Sequence, residues 1–128
     1  PAHGIGDLDE LAETARSAGV DVTCTVGPDV VAALSATSGA AVYRSVQEAL
    51  TNVSRHASAR SARIDVRIED GEAVVSVRDD GRGGVAVEGN GIAGMRERAV
   101  LSGGRLSAGG DAAGGFAVVA HLPIEARS

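Results

Sequence analysis

Two adjacent carboxylates, Asp79 and Asp80, stand at the end of an alternating apolar segment and just before a run of glycines, in Ser76-Val77-Arg78-Asp79-Asp80-Gly81-Arg82-Gly83-Gly84. A strand that breaks into glycines delivers its last side chains to a loop whose backbone can approach a ligand closely. A buried carboxylate that accepts a hydrogen bond from an exocyclic amine gains on the order of 1.5–3 kcal/mol because one partner is charged, and left alone it is costly to bury. The chemistry open to such a stretch is to hold a purine. An Asp-Gly turn on the surface leaves the same trace in sequence, so both readings stand at this point.

A second group lies upstream. Glu48, Asn52 and His56 recur at i, i+4 and i+8 with Arg55 beside them, so on a helix an acid, an amide, an imidazole and a guanidinium line one edge. A solvated polar face is the plainer account of such a stripe. Asn52 is one of only two asparagines in the chain, and an amide is a poor helix former with no local reason to sit mid-helix, which shifts the weight toward function.

Composition narrows the options. The 128 residues, 44% of them hydrophobic, suit one globular domain with a core that folds without staples. The single Cys24 permits no internal disulfide, which fits a reducing compartment, and its apolar surroundings suggest a small core residue. No apolar run approaches the roughly 20 residues that span a bilayer, and no signal peptide is visible. The chain is expected to be soluble and, starting at Pro1 without Met, to be a segment of something longer. The net charge of −5 argues against a nucleic-acid surface, which needs a clustered basic face. All 12 basic residues are Arg. Without lysine there is neither a G-x-x-x-x-G-K-[ST] phosphate loop nor the strand lysine of eukaryotic-type protein kinases, so any nucleotide must be held another way. Metal-site spacing is absent, because His3, His56 and His121 are far apart and no Cys pair exists.

The elements that must position these groups follow from periodicity. Asp7 to Ala18 reads as a helix, with Asp7 capping together with Glu10, an apolar stripe of Leu8, Leu11, Ala12 and Ala15, and Gly19 as its stop. Val20 to Val26 alternates as a strand and is closed by Gly27-Pro28. Asp29 to Leu34 forms one or two helical turns before a small-residue stretch around Ser38-Gly39. Ala40 to His56 is the most strongly patterned helix, with Val42, Val46, Ala49, Leu50 and Val53 facing a core. Ala62 to Ile68 and Ala73 to Val77 alternate around Asp70-Gly71 as an antiparallel hairpin that ends at the acidic loop. Gly84 to Gly94 is glycine-rich and is expected to be mobile. Met95 to Leu101 reads as a helix stopped by Gly103-Gly104. Arg105 to Ala108 and Phe116 to Leu122 are two more strands, and Pro123 closes the domain. Segregated helices and a mixed, mostly antiparallel sheet covered on one face by helices make a two-layer α/β sandwich. Residues 1–19 are expected to be a helical lead-in packed on the domain formed by 20–128.

Three patterns stand in one order: Gln47-Glu48-Ala49-Leu50-Thr51-Asn52-Val53-Ser54-Arg55-His56-Ala57, then Asp79-Asp80-Gly81-Arg82-Gly83, then Gly89-Asn90-Gly91-Ile92-Ala93-Gly94-Met95-Arg96-Glu97-Arg98. Together they resemble the N box, the first glycine box and the lid glycine box of the catalytic ATP-binding domain of sensor histidine kinases, a Bergerat-type fold. The E-A-L-x-N-x-x-[KR]-H-A and G-x-G-[IL]-x-G-M-R-E-R forms are similar to those of the nitrate-sensor and desaturase-regulator subfamily, and the resemblance runs from about Val20 to Ile124.

The resemblance implies a role for each matching residue. Asp79 would accept the adenine amino hydrogen, with Gly81, Gly83 and an ordered water beside it. Asn52 would hold Mg²⁺ through its amide oxygen. Glu48 would be the catalytic carboxylate, acting as base or polarising group for an attacking imidazole. Arg55 and His56 would meet phosphate oxygens, and Gly89, Gly91 and Gly94, with Ile92 and Met95 between and beyond them, would bring backbone amides and a helix start to the nucleotide. The cofactors implied are ATP and Mg²⁺. The partners implied are an upstream dimerisation and phosphoacceptor domain of the same protein and a response regulator; the domain would be cytoplasmic, in a protein open to membrane anchoring, and monomeric in isolation. One departure matters: the final glycine turn is often followed by Ser or Thr in the family, but Gly114-Gly115 leads here to Phe116, read as core or as adenine-pocket wall. None of the three histidines is followed by an acid on a helix, so the segment should bind ATP without phosphorylating itself.

Rival readings compete with this one. Gly89-x-Gly91-x-x-Gly94 matches the dinucleotide fingerprint, but Val85-Ala86-Val87 is too short for the buried strand that must precede it, and Arg105 onward reads as a hairpin. An anti-sigma-type serine kinase or a nucleotide-binding module of the same fold would share the pocket; the Glu48-to-Asn52 pattern and Met95-Arg96-Glu97-Arg98 favour the histidine kinase.

Overall fold

The computed structural model describes residues 4–56, 60–81, 90–110 and 115–124, with backbone alone for 54–56, 90 and 91. A 3₁₀ turn at Ile5–Asp7 leads into α1 (Leu8–Ser17), followed by β1 (Asp21–Val26), α2 (Val30–Ala33), α3 (Ala36–His56), β2 (Ser61–Glu69), β3 (Glu72–Asp79), α4 (Asn90–Leu101), β4 (Arg105–Gly110) and β5 (Phe116–Pro123). The five strands form one sheet in the order β1-β2-β3-β5-β4. β1 pairs with β2 in parallel, and the remaining pairs are antiparallel.

Strand alternation decides which face is covered. In β2, Ala62, Ile64 and Val66 are buried while Arg63 and Arg67 are exposed. β3 lies in the middle of the sheet and is buried from Ala73 to Val77. α1 packs on β1, α3 on β3 and β5, and α4 on β4, which gives the two-layer α/β sandwich expected from the sequence. Between the layers lies one cluster of buried residues, in which Val42, Val46, Ala49, Leu50 and Val53 of α3 meet Ile64, Val66, Val75, Val77, Val118 and Ala120 of the sheet. Leu8, Ala12 and Ala15 of α1 belong to the same cluster. With one Phe and one Tyr in the chain, this core is built from aliphatic side chains.

Turns and stops act where the residue types require them. The β2–β3 hairpin turns through Asp70 and Gly71 at φ 52° and 76°, the paired left-handed conformation of a two-residue turn that matches strand twist. Gly19 and Gly103, at φ 98° and 85°, end α1 and α4. At both ends the next residue donates back across six residues, Val20 to Ala15 O at 3.1 Å and Gly104 to Ala99 O at 2.8 Å, so two sets of otherwise orphaned carbonyls are satisfied.

Among the boundaries that differ from the sequence expectation, three bear on the site and its helices. α3 begins at Ala36, four residues before Ala40, because Ser35 Oγ accepts the Ser38 N–H at 3.0 Å and so caps a turn of weak helix formers. α4 begins at Asn90 rather than Met95, which makes Gly91, Ile92 and Gly94 helical. Asp7 does not cap α1 with its side chain; its Oδ2 accepts the Gly4 N–H at 2.9 Å, and the 3₁₀ turn takes the capping interaction one turn earlier. Among the described residues, no helix is long and apolar enough to cross a membrane.

Candidate functional site

The two aspartates that end β3 part company. Asp79 continues the core-facing alternation of Val75 and Val77 and keeps only 9% of its surface. Asp80 lies beyond the strand and is exposed. Its Oδ1 accepts the N–H groups of Arg60 and Ser61 at 2.8 and 3.0 Å, and its Oδ2 accepts the Ser61 hydroxyl at 3.1 Å. Those hydrogen bonds favour the charged form and hold the Asp80 carboxyl below its ordinary value. Asp80 therefore fastens the start of β2 to the end of β3, and Asp79 is the member of the pair available to a pocket.

Burial pushes the Asp79 carboxyl above its ordinary value. The Gly81 N–H, donating to Oδ1 at 2.8 Å, and the Phe116 N–H work against that rise, while the neighbouring charge of Asp80 adds to it. The carboxyl is thus fixed by backbone donors on two chain segments. Gly115 lies against the same point, where a Cβ would run into the carbonyl oxygen of Asp79. The sequence reading took Gly114-Gly115 only as a turn; nothing in it indicated that the second glycine closes on the acidic residue from the neighbouring strand. Phe116 packs partly buried against the core and pairs with Asp79 across β3 and β5, so the core half of its expectation holds.

The polar edge of α3 faces α4. Glu48 forms an ion pair with Arg98, and Asn52 Nδ2 donates to Met95 Sδ at 4.0 Å. In this orientation the amide oxygen is the end suited to a hard cation. Ile92 and Met95 are buried in the core cluster, where their side chains seat α4. Among the residues expected at the site, Gly83 and Gly89 lie outside the described residues, as do the side chains of Arg55 and His56. The glycine-rich stretch expected to be mobile lies largely outside them too. Among the described residues, no cluster of three or more His, Cys, Asp or Glu could hold a metal. A magnesium ion that takes one oxygen from the protein and the rest from phosphate and water fits this donor set, and such an ion arrives with its nucleotide. His121 lies in β5, not on a helix.

Residues 37–126 match the family model of histidine kinase-, DNA gyrase B- and HSP90-like ATPases. The chain is similar to the sensor histidine kinase YxjM of Bacillus subtilis (strain 168), with 37% identity over 84 residues that make up 65% of this chain and 21% of that protein. It is also similar to the sensor histidine kinase LnrJ of the same organism, with 31% identity over 122 residues, 94% of this chain and 30% of the relative. The chain therefore spans less than a third of the length of these relatives. Among solved structures, the blue-light activated histidine kinase of Erythrobacter litoralis EL346 aligns at a TM-score of 0.76 and 22% identity, over 94% of this chain and 42% of that one. The ATP-binding domain of PrrB from Mycobacterium tuberculosis aligns at 0.70 and 21%, over 95% and 94%. At such identities the structures speak to the shared fold.

Proposed function

The chain belongs to the family of histidine kinase-, DNA gyrase B- and HSP90-like ATPases, and from that premise we propose that it is the catalytic ATP-binding domain of a sensor histidine kinase. It binds ATP and passes the γ-phosphoryl group to a histidine on another domain of the same protein. The observation that carries the nucleotide reading is Asp79, a buried acid whose charge burial disfavours despite the backbone donors of Gly81 and Phe116 that anchor it. An adenine amino group would be a further donor. Gly81 supplies close-approach backbone beside it, and the family motif gives Gly83 the same role.

The remaining roles follow from side-chain chemistry. Asn52 offers its amide oxygen to Mg²⁺, which when bound neutralises charge on the phosphate oxygens. Arg55 and His56, at the end of α3, meet phosphate, and Gly89, Gly91 and Gly94 let backbone amides approach it. In the transfer, the imidazole nitrogen forms its bond to the γ-phosphorus as the bond from that phosphorus to the β-phosphate oxygen breaks, and the ring proton is drawn toward the Glu48 carboxylate. Most of the rate comes from placing these groups in line and stabilising charge. The phosphorylated histidine then serves a response regulator, and the domain works in the cytoplasm.

Calorimetric titration with ATP, with and without Mg²⁺, tests this reading. The parent chain is expected to bind, more tightly with the metal. Asp79→Asn should weaken binding by about 10- to 100-fold, the range expected when a charged hydrogen bond is lost. Unchanged affinity in that variant would remove Asp79 from the pocket.

A further inference from the structure

The edge of α3 that carries the chemistry is gripped by α4 at two successive points. Glu48 and Asn52 are four residues apart on α3; their partners Arg98 and Met95 are three apart on α4 and in reverse order, so the two helices run antiparallel along this seam. Both α3 residues singled out for catalysis and metal binding thus have their outward contact on one helix, the one that carries the Gly91-Ile92-Ala93-Gly94 box. Arg98 lies back over its own helix to reach α3. A Cβ built at Gly94 would stand at ordinary contact distance, 3.7 Å, from Arg98 Nη2, which places the guanidinium over that residue.

The Glu48–Arg98 pair does little for folding. Its side chains are 24% and 44% exposed, and ion pairs that wet contribute little to stability because water screens them and two long side chains lose freedom. Its effect is on orientation. A glutamate standing alone on a helix samples several rotamers, whereas the planar fork of an arginine holds a carboxylate in one direction. A proton acceptor must be aimed, and small misplacements of a reacting group are costly in rate.

We infer that Arg98 is a positioning residue for phosphoryl transfer, holding Glu48 aimed, so that the seating of α4 against α3 sets the competence of the site. The inference rests on the histidine kinase reading and on Glu48 as its proton acceptor. Arg98 itself touches neither the phosphoryl-accepting histidine nor the nucleotide in this role. A swing of α4 away from α3 would disarm the acceptor without moving Asp79.

The test is a set of single-turnover phosphorylation rates and ATP dissociation constants in the full-length kinase, for the parent, Arg98→Gln, Arg98→Lys, Glu48→Gln and the double variant Arg98→Gln/Glu48→Gln. Arg98→Gln is expected to leave ATP affinity within about twofold and to slow transfer about tenfold, a fraction of the 10²–10⁴ that a placed base contributes. Arg98→Lys, which keeps the charge, should recover most of that rate, and Arg98→Gln should add nothing once Glu48 is Gln. A full rate in Arg98→Gln overturns the inference. So does a lysine variant as slow as the glutamine variant, or a loss of ATP affinity in step with rate, since each assigns Arg98 to packing. A full rate in Glu48→Gln overturns the role of Glu48 first, and is distinguished because Arg98→Gln is then judged against an acceptor that is not needed.

Discussion

At the scale of single residues, two neighbouring aspartates of identical chemistry carry opposite electrostatics. Asp79 is raised by burial and Asp80 is lowered by backbone and hydroxyl donors. The signs of their pH effects follow. A carboxyl raised in the native state binds its proton more readily there than in the unfolded chain, so burying its charge costs stability at neutral pH; that cost fades as pH falls through the raised native value and is gone below the ordinary carboxylate value of about 4. A carboxyl lowered in the native state stabilises above its ordinary value and loses that contribution as pH falls through its depressed one. Without nucleotide, Asp79→Asn is expected to melt at or above the parent temperature at pH 7, with the difference closing in acid. Asp80→Ala should melt below the parent at pH 7, again converging in acid, while its ATP affinity stays within about twofold. Thermal melts across pH check both, and a loss of stability in Asp79→Asn at neutral pH would contradict the burial argument.

At the scale of elements, α3 does more than its apolar stripe announces. Val42, Val46, Ala49, Leu50 and Val53 were legible as a core face because they recur at helical spacing. The first turn was not legible, because Ala36-Thr37-Ser38-Gly39 contains weak helix formers whose helicity depends on the Ser35 cap. Ser35→Ala should therefore cost about 1 kcal/mol in denaturant unfolding, with an unchanged slope, since one capping acceptor is lost and little surface is exposed. The same limit applied to α4. Gly91 and Gly94 read as loop on propensity, yet Ile92, Met95 and Ala99 are buried against the layer below, and that burial carries the helix back to Asn90.

At the scale of the whole molecule, a single aliphatic core joins α1, α3, α4 and the sheet. Ile64 is fully buried at the centre of β2, paired with Cys24 of β1 and Val77 of β3. Ile64→Ala is expected to destabilise the fold by about 2–5 kcal/mol, through lost transfer free energy and the cavity that remains. A cost under 1 kcal/mol in equilibrium unfolding would show that the two layers can close over the gap. The sheet order also brings β5 beside β3, so residues 79 and 116, far apart in sequence, become register partners at the edge of the site.

The sequence by itself determined the element types, the hairpin, the acidic end of a strand and the three motifs whose order identifies the family, because each rests on local periodicity, turn chemistry or residue spacing. The tertiary structure alone decided that Asp80 ties the end of β3 to the start of β2, that Gly115 closes on Asp79, and that Arg98 reaches Glu48. Those outcomes depend on which strands become neighbours and which helix faces meet, and no spacing within one segment encodes a contact made between two.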